Sequence, residues 1–106
     1  MTEVKIRLGN GVYGLRADGH ATGSAQTCSA ISGILYALAG YLVNAEREGF
    51  AKPQEHSMES GAVLLRYRGD QRVGAAFYMA AIGLMQLEKA APQYISVKLE
   101  DGRENF

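Results

Sequence analysis

Val4, Ile6 and Leu8 alternate with Glu3, Lys5 and Arg7, which is the period of a strand with one buried face. Gly9-Asn10-Gly11 supplies residues that tolerate positive φ, and an extended pattern resumes over residues 12–17. Together they predict a β-hairpin. Asp18-Gly19-His20-Ala21-Thr22-Gly23-Ser24 is too rich in glycine and small polar residues for a regular element. Thr27 is the expected N-cap of a helix, because the apolar period then changes to that of an amphipathic helix. Cys28, Ile31, Leu35, Leu38, Leu42 and Ala45 share one stripe, with Ile34 and Tyr41 beside it. Ala30, Gly33, Ala37 and Gly40 form a second stripe of small residues. Each internal glycine costs about 1 kcal/mol of helix propensity, which predicts that another backbone comes close there. Residues 46–53 end the helix and turn.

Residues 54–59 and 62–68 predict a second strand pair around Ser60-Gly61, with Val63, Leu65 and Tyr67 facing the helices. A second helix follows over 70–91. Val73, Phe77, Ala80, Leu84, Leu87 and Ala91 make one face, while Met79, Ile82 and Met85 extend the apolar surface beyond it. Pro92 stops this helix. Ile95, Val97 and Leu99 then alternate with Tyr94, Ser96 and Lys98 as a last strand, closed by Asp101-Gly102, and the final four residues are expected to fray. The order is ββαββαβ in a single domain over 1–106. Strands with one polar face need their other face covered, and two apolar helices are available. The expected class is α+β: a two-layer sandwich, with a mainly antiparallel sheet and both helices on one face.

Composition narrows the functions available. The 106 residues are 47% hydrophobic, enough for one core, and 21% charged, too few for a disordered chain. Eleven Lys and Arg balance eleven Asp and Glu, so no strong field favours nucleic acid or an anionic membrane, and neither is an expected partner. The densest basic group, Arg66, Arg68 and Arg72, suits an exposed strand end equally well. One cysteine excludes an internal disulfide, and with two histidines it argues against a four-ligand zinc site. The first residues lack the apolar core of a signal peptide, so a reducing cytosol is the expected compartment. Residues 28–45 carry no charge, near the short limit for a membrane span. Ser29, Ser32, Tyr36, Tyr41, Asn44 and two glycines point instead to a helix buried under a sheet. Residues 73–85 are also uncharged, and an apolar surface wider than one face in a domain this small predicts a homodimer.

A cysteine in the first turn of a helix has a particular chemistry. Unpaired N–H groups and the positive end of the helix dipole stabilise thiolate, the nucleophilic form, and can receive an oxyanion. Cys28 holds that position if Thr27 caps the helix, and His20 is within chain reach as a base for the thiol proton. The plainer reading is that Cys28 heads the buried stripe as a core residue and His20 is a turn residue. Residue spacing leaves both open. His56 reads as a solvent-facing strand residue, Glu46, Glu48 and Glu88 as solvated helix ends, and Gly9-Asn10-Gly11 as a hairpin turn rather than a phosphate loop.

The segment Asp18-Gly19-His20-Ala21, followed by Cys28-Ser29-Ala30-Ile31-Ser32 opening an apolar helix, resembles the ribosomal-processing cysteine protease family. Members carry a Gly-His-Ala motif and then a cysteine with a serine four residues on, and the ββαββαβ order matches as well. The resemblance implies a small cytosolic homodimer without metal or cofactor. Such a protein is a hydrolase that removes an N-terminal extension from a large-subunit ribosomal protein, cutting after an aromatic residue. It implies Cys28 as nucleophile, His20 as general base, and Gly19 and Ser32 as site-supporting residues, with the ribosomal-protein precursor peptide as partner. The chain departs from the family in a shorter loop between histidine and cysteine, and in Ala25 where members have an acidic residue. The alternative is a catalytically silent dimer of the same fold that binds a peptide or protein.

Overall fold

The computed structural model describes residues 1–101. Gly102, expected to help close the last strand, and the four residues expected to fray lie outside the described residues. The elements are β1 (Thr2–Gly9), β2 (Val12–Asp18), α1 (Ala25–Arg47), β3 (Ala51–Glu59), β4 (Ala62–Gly69), α2 (Gln71–Ala90) and β5 (Ile95–Asp101). The ββαββαβ order and the α+β class are as the periodicities predict. One five-stranded sheet runs β3-β4-β2-β1-β5. The pairs β1–β2, β2–β4 and β3–β4 are antiparallel, and β5 joins β1 in parallel.

Both helices lie on the sheet face that carries Val4, Ile6, Leu15, Val63, Leu65, Tyr67 and Ile95, all buried. The thinnest extent of the molecule is 19 Å, room for one helix layer of about 10 Å on one sheet. α1 is long and apolar enough to cross a membrane, but its stripe of Ile31, Leu35, Leu38, Leu42 and Ala45 is packed inside this domain. From α2, Val73, Phe77 and Leu84 are fully buried, and Phe77 stacks on Tyr13 of β2 with ring centroids 5.9 Å apart. Fully burying one such side chain contributes about 2 kcal/mol, so this stripe fixes how α2 lies on the sheet.

Three expectations change. β3 begins at Ala51 rather than after residue 53, so Pro53 lies inside a strand. The strand is at the sheet edge, where a residue without an N–H loses no ladder bond, and the register shifts between Pro53 and Glu55. Gly33 and Gly40 meet no other backbone, since a Cβ built at either has nothing within 4 Å. The close helix–helix approach is made from α2, where a Cβ at Gly83 would come 3.1 Å from Ile34 Cδ1. Glu88 is not a solvated helix end. Its Oε2 accepts the Val97 N–H at 2.8 Å and occupies a donor of edge strand β5.

Candidate active site

The site begins where β2 leaves the sheet. Gly19, at φ +90°, turns the chain beneath the Met1 carbonyl, and a Cβ there would collide with that oxygen. Its N–H donates to the Gly61 carbonyl at 2.9 Å, tying this loop to the β3–β4 turn. His20 follows and is exposed. Gly61, at φ +74°, leaves its side-chain space to the imidazole: a Cβ at position 61 would fall 2.5 Å from His20 Nε2 and 3.1 Å from Cε1. The Ser60-Gly61 pair signals a turn in the sequence, but nothing local signals that a ring from another loop rests on it.

Ser24, not Thr27, caps α1. Its backbone is extended and its Oγ accepts the Thr27 N–H at 3.2 Å. Thr27 is drawn inside the first turn, where it is buried and its Oγ1 accepts from Ser24 Oγ at 2.8 Å. Either residue is chemically a good cap; Gly23, at φ +96°, turns the chain and puts Ser24 at the helix boundary. Cys28 is therefore the fourth helical residue, and its own N–H is committed to the Ser24 carbonyl at 3.1 Å. Helical side chains lean toward the N-terminus, which directs the thiol back toward the first turn. Ala25 and Gln26, at the start of that turn, are the residues whose N–H groups have no hydrogen-bond partner among the described residues. An oxyanion can be received there rather than by the Cys28 N–H.

His20, Cys28, Ser32 and Gly19 line one cavity of about 180 Å³ between α1 and the β3–β4 hairpin. Cys28 is half-buried, packed against the core without being sealed in it. Ser32 and Tyr36 follow at one-turn intervals along α1, and Tyr36 is 69% exposed at the rim. Ile31, Leu35, Met58 and Val63 supply an apolar wall. No hydrogen bond joins Cys28 to His20 among the described residues; the two share the cavity, with the imidazole resting against Gly61. Glu59 is the one acidic residue in the lining.

His56 lies elsewhere. It pairs with Leu65 across β3–β4, which puts it on the helix side of the sheet, where it remains exposed to solvent as expected, with Nδ1 2.6 Å from the Tyr67 hydroxyl. Burial, and then the charge of Glu46, push the Tyr67 hydroxyl above its usual 10.0. His56 therefore serves a buried hydroxyl and takes no part in the cavity.

No family profile matches the sequence, and no curated protein matches it. Solved structures do. The S. aureus ribosomal processing protease Prp, an essential protein in complex with a covalently linked product peptide, superposes with a TM-score of 0.78 at 16% identity. The match covers 94% of this chain and 100% of that one. The chain has the fold of Prp. Prp in complex with a substrate peptide aligns at 0.71 and 14% identity, again over 94% of this chain and 100% of its own. SMU.848 from Streptococcus mutans aligns at 0.69 and 17% identity over 95% of both chains.

Proposed function

We propose that this protein is a cysteine endopeptidase of the ribosomal-processing type, working in a reducing cytosol on the N-terminal extension of a large-subunit ribosomal protein. The observation that carries the reading is the meeting of Cys28, His20 and Ser32 in one cavity near the start of α1, on the fold of Prp. His20 takes the thiol proton as Cys28 Sγ attacks the scissile carbonyl, and the carbonyl oxygen becomes an oxyanion beside the open N–H groups of the first turn. When the C–N bond breaks, the imidazolium returns its proton to the leaving amine, and a thioester remains on Sγ. Water then adds to the thioester with His20 as base, the S–C bond breaks, and the thiol and a new carboxylate are released. The apolar wall of Ile31, Leu35, Met58 and Val63 suits an apolar or aromatic side chain next to the cut.

Incubation with the host's unprocessed ribosomal protein, followed by mass spectrometry of its N-terminus, tests this. Loss of the extension with the wild type but not with Cys28→Ser is expected; an uncut substrate refutes it. A second reading, a silent peptide-binding dimer, draws on the absence of a Cys28–His20 hydrogen bond among the described residues. It predicts binding of the same peptide without cleavage.

A further inference from the structure

We infer that Tyr36 is a specificity-determining residue whose ring receives an aromatic side chain of the substrate peptide, about three residues before the scissile bond. The inference rests on the proteolytic reading above for the direction of the peptide. Cys28, Ser32 and Tyr36 stand four residues apart along α1, and all three line the cavity. One side of the helix therefore carries the thiol at one end and the ring at the other. The ring is 69% exposed, and among the described residues it makes no hydrogen bond or ring contact. The fold does not depend on it, because Leu35 beside it is buried and holds this turn of α1 to the sheet.

The cavity has a direction. α1 ends at Arg47 and β3 begins at Ala51, with the Phe50 N–H donating to the Ala45 carbonyl at 3.0 Å. β3 thus runs back along the helix, and the β3–β4 turn arrives at the Cys28 end, where His20 rests on Gly61. Met58 lies three residues back from Gly61, about 10 Å along the strand. Tyr36 lies eight residues on from Cys28, about 12 Å along the helix. Both line the cavity, so they stand together at its far end. His20 protonates the leaving amine, which keeps that half of the substrate at the histidine end and sends the acyl half along α1 toward Tyr36. An extended peptide covers about 3.3–3.6 Å per residue, and a helical tyrosine leans back toward the N-terminus. Its ring therefore meets the third residue before the cut. An aromatic side chain suits that place, since it stacks on Tyr36 and packs against the Met58 thioether, which favours aromatic rings.

The test is the Kd of two fluorescein-labelled peptides, read by anisotropy on the full chain carrying Cys28→Ser, which prevents turnover. Both peptides have phenylalanine as the last residue before the cut. The third residue before it is phenylalanine in one and alanine in the other. With Tyr36 in place, the first peptide is expected to bind about tenfold more tightly, the scale of one stacked ring. With Tyr36→Ala the two are expected to bind alike, while Tyr36→Phe, which keeps the ring and drops the hydroxyl, is expected to retain the preference. Thermal midpoints are expected to stay unchanged in both variants, since the ring is exposed. No preference with Tyr36 in place, a preference that survives Tyr36→Ala, or binding of neither peptide overturns the inference. A protein that trims its precursor yet shows no such preference refutes the inference and keeps the protease. A Tyr36-dependent preference in a protein whose unsubstituted form trims nothing upholds the subsite and refutes the protease.

Discussion

At the scale of residues, the proposed chemistry rests on Cys28 and His20, and Gly61 carries the arrangement of the histidine. Cys28→Ser is nearly isosteric and is expected to abolish cleavage while thermal unfolding stays unchanged. His20→Ala is expected to cut the rate strongly and to regain part of it as pH rises and thiolate forms unaided. Gly61→Ala faces two penalties: a left-handed backbone that costs an alanine about 1–2 kcal/mol, and a methyl 2.5 Å from His20 Nε2. Its expected phenotype is displaced His20 resonances and lost cleavage in a protein that still folds. Tyr67 offers a separate check. Its hydroxyl titrates above 10.0 in the fold, mainly because it is buried, so its contribution to stability is complete below pH 10.0. That contribution is lost as pH rises through the raised value. Tyr67→Phe is expected to flatten the fall in stability above pH 10 in denaturant titrations, at a cost near neutrality of about 1 kcal/mol for the His56 bond.

At the scale of elements, the start of α1 decides where the thiol sits. Ser24→Ala removes the oxygen that accepts the Thr27 N–H and is expected to lower stability by about 1 kcal/mol, read as a shift of the urea midpoint. The fraying it allows lies immediately before Cys28, so the rate of thiol alkylation is expected to change in the same variant. Thr27→Ala, which leaves the Ser24 Oγ contact with the N–H in place, is expected to cost less through the cap. The edge strands show the same economy at the opposite ends of the sheet. β3 carries Pro53 and a register shift, and β5 has an N–H occupied by Glu88. Both limit pairing with a stray strand.

At the scale of the whole molecule, an apolar surface is left over. Met79 is 74% exposed, and Tyr78, Ile82 and Met85 are exposed beside it. A groove between the helices, lined by Ile34, Ala37, Tyr41, Ala76 and Gly83, opens next to Met79. The homodimer expected from the uncharged run of α2 is proposed to form here, burying about 1,200 Å² or more in total, the lower bound for a stable interface. Light scattering at micromolar concentration is expected to give twice the 11.4 kDa of one chain, and Met79→Glu to return it to the single-chain mass. A wild type at the single-chain mass refutes the dimer.

Periodicity determined most of the architecture, because burial on one face of a strand or helix imposes a repeat of two or 3.6 wherever it occurs. Thus Val4, Ile6 and Leu8, the stripe of α1, and Val63, Leu65 and Tyr67 were legible one segment at a time. Pattern also placed His20 in the loop before the helix of Cys28. What only the tertiary structure decided includes choices that local chemistry leaves open and, above all, contacts between residues far apart in the chain. Ser24 displaced Thr27 as the cap because of the turn at Gly23, and Pro53 entered a strand because that strand is an edge. The ring of His20 came to rest on Gly61, forty-one positions away in the sequence. No local repeat records such contacts, since they arise when the sheet pairs β2 with β4 and carries the β3–β4 turn to the mouth of α1.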